Sequence, residues 1–210
     1  MKVRLQFEKN VRYISHLELM RTIQKILKRS NLPIRYSEGF NPHIVLSIAV
    51  PIPVGVCGKN EYADFELISD MTENEIITAL KNASDFSVRP KAVKIGDAKD
   101  FKYTVYAKYS INIVSKDTKK IIEFLSRDEI NTEKKAKGKI KIINLKEYIH
   151  EMNFQETADG LNIDCILACG NEKNLNPMLI RKALIKENFD IEIFNADRTD
   201  IFDTEFKGFF

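Results

Sequence analysis

Two histidines and a serine in the first quarter of the chain are the residue types best suited to acid–base chemistry. His16 and His43 can each take up or release a proton near neutral pH, and Ser37 places a hydroxyl in the same stretch. Metal-independent RNA cleavage needs such a pair of groups around the 2′-hydroxyl. Each histidine also has a structural explanation, His16 at the start of a helix and His43 at the entry to a strand. His16, His43 and Ser37 are therefore candidate catalytic residues and nothing more specific.

A metal site in this stretch would draw on His16, His43, Glu38 and Glu61. No H-x-x-x-H or paired-cysteine spacing supports such a site. The sequence also has no P-loop and no G-x-G-x-x-G run, which argues against the nucleotide cofactors that use those motifs. We therefore expect neither a metal nor a cofactor.

Cationic side chains give the same stretch a clearer character. Residues 1–43 contain nine Lys or Arg against three Glu, whereas the whole chain has a net charge of only +3. Tyr36 and Phe40 lie in an adjacent loop, so phosphate contacts and stacking surfaces occur together. This combination predicts an RNA-binding surface. Its candidate residues are Arg12, Arg21, Lys25, Lys28, Arg35, Tyr36, Phe40 and His43.

A second lysine-rich run follows later in the chain and is open to two interpretations. It is either a second phosphate contact or a solvated hairpin. Its lysines are Lys134, Lys135, Lys137, Lys139 and Lys141.

A helix from Leu17 to about Ser30 must position most of the first group of cations. Ser15 and Glu18 form the S-x-x-E pattern of a capping box, which marks its start. Thr72 and Glu75 form a second capping box, which predicts the start of a second helix. The apolar residues of the first helix recur with helical period, and Arg21, Lys25 and Lys28 lie off that stripe. The stripe comprises Leu19, Met20, Ile23, Ile26 and Leu27.

The loop after this helix, S-E-G-F-N-P-H, should display its aromatic residue. Gly39 allows a turn with positive φ that presents Phe40. Glu38 is the expected partner of Arg35 or His43.

The order of periodic segments predicts an α+β fold with two ferredoxin-like halves in tandem. Each half reads as β-α-β-β-α-β, the split βαβ arrangement with an antiparallel sheet. The halves are expected at 1–96 and 101–205, with a hinge at 96–100.

Individual strands follow from the alternation of apolar and polar residues. Residues 44–50 should form a central strand, 62–68 should point Tyr62 outward, and Pro90 should mark a sheet edge. In the second half, a strand over 103–114, a hairpin turn at Asp159-Gly160 and a last strand over 189–196 are expected. Residues 187–205 hold seven acids and one arginine, which is typical of an acidic tail, and the phenylalanines of 206–210 could dock onto the body or onto a partner.

Composition describes an ordinary water-soluble protein. The chain has 210 residues, 44% of them hydrophobic and 30% charged, and no run of 18 apolar residues. Its first residues alternate charged and apolar side chains as a strand does, unlike a signal peptide. We therefore expect a cytoplasmic protein with no membrane partner.

Three stretches carry a resemblance to a known family: residues 14–21 (ISHLELMR), 32–43 (LPIRYSEGFNPH) and 51–55 (PIPVG), with Glu61-Tyr62 fitting as well. They resemble the signature of the radical-SAM-linked bacterial domain of unknown function, which occurs fused to a radical SAM protein or encoded beside one. The resemblance covers nearly all of the chain. It implies a radical SAM protein as partner, and it supplies no reaction.

The cysteines do not fit a cluster of the chain's own. A radical SAM enzyme needs the pattern C-x-x-x-C-x-x-C, but after Cys165 and Cys169 the third position is Glu172. An odd number of cysteines without framework spacing also argues against disulfides. Buried, structural cysteines are the expectation.

Three functions stay open from the sequence. The chain is an RNA-binding or substrate-presenting accessory domain of a radical SAM protein, a metal-independent endoribonuclease, or a pure protein-interaction module. The second rests on analogy with the repeat-processing endoribonucleases of CRISPR systems, which resemble the predicted fold, pair two such domains and often use a histidine near the first helix. Ionic strength separates RNA binding from an apolar interface, because only the former weakens steeply with salt.

Overall fold

A computed structural model describes residues 1–136 and 138–210 of the chain. The chain divides into two compact units. The first comprises Met1–Tyr103 together with Lys207–Phe210, and the second comprises Thr104–Phe206. Residues 96–100, where the sequence suggests a hinge, lie inside the first unit.

The first unit follows the expected order of elements. They are β1 (Lys2–Lys9), α1 (His16–Arg29), β2 (Leu46–Ile48), β3 (Val56–Glu66), α2 (Glu73–Ala83) and β4 (Val88–Ile95). β1 lies between β3 and β4, β2 pairs with the end of β3, and all these pairings are antiparallel. The strand order within the unit is therefore β4-β1-β3-β2.

The core of this unit combines one face of β1 with the apolar stripes of both helices. Val3, Leu5 and Phe7 alternate along β1 and are buried. Four residues of the predicted α1 stripe are buried, as are Ile76 and Leu80 of α2. Both helices begin with a complete capping box, so the sequence prediction of these two helix starts is confirmed.

Two strand predictions for the first unit are wrong. The strand expected at 44–50 as a central one is only three residues long and pairs solely with β3 among the described residues. β3 begins at Val56, six residues before the strand predicted at 62–68. Tyr62 is 2% exposed although the alternation placed it outward, because the ring of Phe210 stacks on it at 6.4 Å. The edge position signalled by Pro90 is confirmed, since within the described chain β4 pairs only with β1.

The second unit contains two α-helices and six β-strands within the described residues. They are β5 (Tyr106–Val114), α3 (Thr118–Leu125), β6 (Asn131–Ala136), β7 (Lys139–Asn144), β8 (Ile149–Glu156), β9 (Gly160–Ala168), α4 (Met178–Lys186) and β10 (Ile193–Phe202). Four strands pair antiparallel in the order β10-β5-β9-β8, while β6 and β7 form a separate hairpin.

The second unit also corrects the sequence analysis. The turn at Asp159-Gly160 is confirmed, with the Thr157 amide donating to the Gly160 carbonyl at 2.9 Å. The last strand, however, spans Ile193–Phe202 and not 189–196. Part of the acidic segment is therefore a paired strand, and Asp203 just beyond it is buried, so the interpretation of 187–205 as an acidic tail is wrong. The α+β class is shown, and the tandem ferredoxin-like arrangement stays a prediction.

Candidate nucleic-acid interface

The exposed face of α1 carries a row of four cations. Arg21, Lys25 and Lys28 recur at helical spacing, and Arg29 follows. All four are exposed, and no salt bridge joins them to any described residue. The opposite face is held in the core by Leu19, Ile23, Ile26 and Leu27. The row is thus fixed in orientation without being held in salt bridges.

The start of α1 is fixed by Ser15 and by a buried lysine. The Ser15 amide donates to the Glu18 carboxylate at 2.7 Å, and the Ser15 hydroxyl accepts from the Glu18 amide at 3.2 Å. Lys9 is fully buried, and its ammonium donates to the Val56 carbonyl at 2.7 Å and to the Arg12 carbonyl at 3.5 Å. Lys9 was not among the candidate residues. The alternation of residues along β1 places it on the same face as the buried apolar side chains.

The segment 37–43, called here the 37–43 loop, is closed by its two end residues. The Ser37 amide donates to the His43 carbonyl at 2.8 Å, and the His43 amide donates to the Ser37 hydroxyl at 3.1 Å. The same hydroxyl lies 2.9 Å from Nδ1 of His43. The structure therefore brings the candidate residues Ser37 and His43 together.

The tip of the 37–43 loop presents an aromatic ring to solvent. Gly39 has φ of 114°, the left-handed region in which glycine is favoured, as predicted. Phe40 follows with a relative exposure of 105%, and Tyr36 at the base of the loop is 44% exposed. Because the ring of Phe40 is fully exposed, it buries no surface that would stabilise the fold, and it is accessible to a partner.

The remaining candidates differ in how freely they can reach a ligand. Arg35 forms a salt bridge with Glu66 at 2.9 Å, and His43 contacts Ser37. These two residues, and not Glu38, are therefore the partners of Arg35 and His43. Arg12 is half-buried, and its carbonyl accepts from the Gly55 amide at 2.8 Å. His16 is the half-buried first residue of α1.

The lysine-rich run forms the β6–β7 hairpin, and its lysines are not equivalent. Lys134 donates to the Asn174 carbonyl at 2.6 Å and lies 5.1 Å from the ring of Tyr148. Lys135, Lys139 and Lys141 are exposed. Lys137 lies outside the described residues.

The cysteines are buried, as expected. Cys57, Cys165 and Cys169 are all buried and none forms a disulfide. Burial, with a smaller effect of the Asp164 charge, raises the pKa of Cys165 to about 12. A thiol with so high a pKa is a poor metal ligand at neutral pH, because the thiolate is the ligand.

The described residues contain no group of three or more His, Cys, Asp and Glu side chains that could hold a metal. Of the ligands considered from the sequence, Glu61 is buried. No helix in the described part of the chain has the length and apolar character needed to cross a membrane.

Arg4 anchors a second polar cluster that the sequence analysis missed. Its guanidinium makes a two-pronged contact with the Asp64 carboxylate, both distances being 2.7 Å, and donates to the Phe209 carbonyl at 2.7 Å. The ring of Phe101 lies 4.0 Å from the guanidinium carbon. These partners are 60 to 205 residues distant in sequence, so no local pattern could have found them.

A cleft of about 380 Å³ lies beside this cluster. Its charged side chains already have partners in the first unit: Lys2 contacts Asp97 at 3.2 Å, Glu66 contacts Arg35, and Asp100 contacts Lys102 at 3.3 Å. The cleft therefore offers no unsatisfied charge that would select a ligand.

Aromatic side chains cluster in the second unit around the third histidine. The rings of Tyr106 and Phe206 stack at 4.9 Å and 7°, and His150 contacts both, at 5.1 and 4.9 Å. The sequence analysis did not single out His150, because nothing adjacent to it suggested chemistry. Acidic residues follow in the nearby sequence, which disfavours phosphate binding there.

Comparison with solved structures gives the fold a relative. A chain in the crystal structure of a Cbf5–Nop10–Gar1 complex aligns with a TM-score of 0.52 and 13% identity, over 95% of this chain and 48% of that one. At this identity the likeness concerns the fold alone. The present chain spans about half the length of that relative.

Comparison with sequences identifies a family. No curated protein matches the sequence. Residues 2–177, by contrast, match the profile of DUF2344, described as an uncharacterized protein conserved in bacteria. Because the match covers most of the 210 residues, the chain belongs to the DUF2344 family of bacterial proteins.

Proposed function

We propose that this protein is an RNA-binding accessory domain that acts with a radical SAM protein in RNA modification or processing. The observation that carries the proposal is the row of exposed cations on α1, none of which forms a salt bridge with a described residue. Cations on a stable surface helix are usually interspersed with acids, whereas Arg21, Lys25, Lys28 and Arg29 have no salt-bridge partner among the described residues.

The row suits a phosphate backbone. Side chains at i and i+4 or i+3 lie about 5–6 Å apart along a helix, so several cations can contact one strand at once. Each contact releases condensed counterions, which gives binding free energy and a strong dependence on salt. Lys28 and Arg29 also lie in the last helical turn, where the helix dipole favours positive charge even without RNA.

The 37–43 loop supplies the second element of the proposed surface. The fully exposed Phe40 and the half-exposed Tyr36 provide rings on which unpaired bases can stack. Stacking of a base on an aromatic side chain contributes about 1–3 kcal/mol without selecting sequence. We therefore propose single-stranded RNA, or a loop of a folded RNA, as the ligand.

We further propose that each unit is a ferredoxin-like domain. The support is the strand order: β4-β1-β3-β2 in the first unit and β10-β5-β9-β8 in the second both place the first strand between the third and the last. The β6–β7 hairpin would then be an insertion after the first helix of the second unit.

The radical SAM partnership rests on the resemblance of residues 14–21 and 32–43 to the radical-SAM-linked domain. The high pKa of the buried Cys165 thiol supports a division of labour, because such a thiol does not ligate a cluster readily. A substrate-presenting role is compatible, with the 37–43 loop approaching the active site of the partner.

The test reverses the charge of the α1 row. The variant R21E/K25E/K28E should bind labelled single-stranded RNA at least about tenfold more weakly, and the slope of log K against log salt should fall by about 2. The variant K81E/K94E/K119E changes the same total charge at exposed sites elsewhere and serves as the matched control. Filter binding at several salt concentrations measures both quantities.

Two outcomes would contradict the proposal. The first is wild-type RNA affinity in R21E/K25E/K28E at low salt, with unchanged thermal unfolding. The second is an equal loss in the control variant, which would reduce the effect to overall charge.

Phe40→Ala should weaken binding by about tenfold without altering its salt dependence, since the ring contacts bases and not phosphates.

A second candidate function, metal-independent RNA cleavage, is favoured by one observation, the contact of Ser37 with His43. The Ser37 hydroxyl accepts from the His43 amide and lies within hydrogen-bond distance of Nδ1, which holds the ring in place. The doubly protonated form of His43 would donate its Nε2 proton to the leaving oxygen, and a neutral His16 would take the proton of the 2′-hydroxyl. Cleavage of labelled RNA in EDTA that is lost in both His16→Ala and His43→Ala would establish this function, and RNA that stays intact with wild-type protein would exclude it.

A further inference from the structure

In the β6–β7 hairpin, β6 contacts the rest of the second unit, whereas β7 forms an edge strand of the described chain. β6 is tied to its unit: Thr132 is buried, Lys134 donates to the Asn174 carbonyl, and Glu133 forms a salt bridge with Lys182 of α4 at 3.0 Å. β7 pairs with β6 and with no other strand in the described chain. The hairpin therefore presents the backbone of β7 as an open edge.

The side chains of β7 are exposed on both faces. Ile140 is 67% exposed and Ile142 is 75% exposed, and because strand residues alternate, these two lie on one face. Lys139 and Lys141 are exposed on the other. Two large aliphatic side chains adjacent on an open strand edge are unfavourable in water and mark an interaction site more often than a solvated hairpin.

Charge defines what can approach this edge. Residues 134–146 contain six lysines and no acid. A strand added beside β7 would place its alternate side chains opposite Lys139 and Lys141, where acids form favourable cross-strand pairs and lysines are repelled. The residues between them would lie beside Ile140 and Ile142, where apolar side chains are favoured.

We propose that β7 binds an extended segment of a partner protein as an added strand, with acidic and apolar residues alternating in that segment. The open backbone edge and the exposed isoleucines favour a polypeptide over RNA, since RNA offers neither a matching amide edge nor aliphatic side chains. This docking edge is separate from the α1 row, and it does not depend on RNA binding.

A synthetic peptide in which Glu and Val alternate, capped at both ends, is the probe. Calorimetric titration of the full chain should show binding, and amide exchange within 139–144 should slow when the peptide is present. A peptide of the same sequence N-methylated at every residue should not bind, because it has no backbone amide left to donate to the β7 carbonyls. A peptide alternating Lys and Val should not bind either.

The variant K139E/K141E should bind the Glu-Val peptide about tenfold more weakly, because two favourable cross-strand pairs become repulsive. K116E/K119E makes the same change at exposed lysines of the second unit outside the hairpin and should bind as wild type does. R21E/K25E/K28E should also keep peptide binding, which separates this test from that of the proposed function.

Three results would overturn the docking edge. One is no binding of the Glu-Val peptide to wild-type protein. Another is equal affinity of wild type and K139E/K141E for it. The last is a loss of RNA affinity in K139E/K141E as large as that in R21E/K25E/K28E, which would make the hairpin a phosphate contact.

Discussion

The helices of the two units begin in different ways, although their sheets share one strand order. In the first unit, α1 and α2 each start with a capping box, Ser15 with Glu18 and Thr72 with Glu75. In the second unit, neither α3 nor α4 has a side-chain hydrogen bond from its N-cap residue. The start of α3 is held by a local contact, in which the Asp117 amide donates to the Ser115 hydroxyl at 3.1 Å, and by a tertiary one, in which the Asp190 amide donates to Asp117 at 3.2 Å. Reciprocal capping boxes thus mark both helix starts of the first unit, whereas α3 begins with a local and a distant contact together.

The sheet face opposite the apolar core also differs between the units: distant residues cover it at β1, whereas it stays partly exposed at β5. On β1, Arg4 lies on the face opposite Val3 and Leu5 and is nonetheless 1% exposed, because Phe101 and Phe209 cover it. On β5, the residues between the buried ones stay partly exposed and polar. Asn112, for example, donates to the Asn162 side chain at 3.0 Å. The first unit has therefore gained stability from the residues at 207–210, and the second has kept an open polar face.

The largest expected effect comes from removing the side chain that joins the first sheet to these distant residues. Arg4→Ala should lower the free energy of unfolding by about 3 kcal/mol, since it leaves the Phe209 carbonyl and the Asp64 carboxylate without their partner. The value is at the low end for a buried ion pair because Asp64 is 37% exposed. Urea unfolding followed by circular dichroism measures the loss.

Arg4→Lys is the matched control for this effect. It keeps the charge but not the two-pronged geometry and should lose an intermediate amount. Amide exchange should accelerate more in β1 and β3 than in β5 and β9. Equal acceleration in both units would remove the contrast between a face covered by distant residues and an open one.

The contrast explains which features the sequence could predict. The capping boxes, the apolar stripe of α1 and the positive φ at Gly39 depend on neighbours within a few residues, and these predictions are confirmed. Tyr62 was placed outward because alternation cannot register a ring from Phe210. The last strand was predicted at 189–196 and not at 193–202, because the charges of 197–203 suggested a tail and the pairing partner, β5, is about 90 residues away.

The candidate site likewise contains features that the local sequence predicts and contacts that only the folded chain creates. The exposed cations of α1 follow from the helical period and were predicted as a set. The partners of Arg35 and His43 were not, because Glu66 reaches Arg35 across the fold and Ser37 meets His43 only when the loop closes. The contact by which Lys9 holds the segment before α1 could not be predicted from the sequence, because it depends on the register of β1 with β3.

A smaller effect tests the local signals directly. Ser15→Ala and Thr72→Ala should each lower the free energy of unfolding by about 1 kcal/mol, because each removes the hydroxyl that accepts the N3 amide. Ser15→Asn should restore most of the loss, since asparagine caps about as well as serine. Thermal unfolding of the three variants gives the comparison. A loss below a few tenths of a kcal/mol in both alanine variants would show that the first unit does not depend on its caps.

The smallest expected effect is on the titration of the two capping-box glutamates. The Ser15 backbone amide, and then its hydroxyl, holds the pKa of Glu18 below its ordinary value of 4.5, and Thr72 does the same for the pKa of Glu75. A carboxyl whose pKa is lowered by folding stabilises the folded state fully above that ordinary value. Its contribution is lost as the pH falls through the lowered pKa.

Side-chain carboxyl chemical shifts, followed by NMR against pH, should therefore place both glutamates below 4.5. In Ser15→Ala the pKa of Glu18 should rise only part of the way, because the larger cause, the backbone amide of residue 15, is still present. Glu75 should not move in that variant and serves as the internal reference. If Glu18 titrates at 4.5 in the wild-type protein, the box is not closed in solution. The first unit would then resemble the second, in which neither helix begins with a capping box.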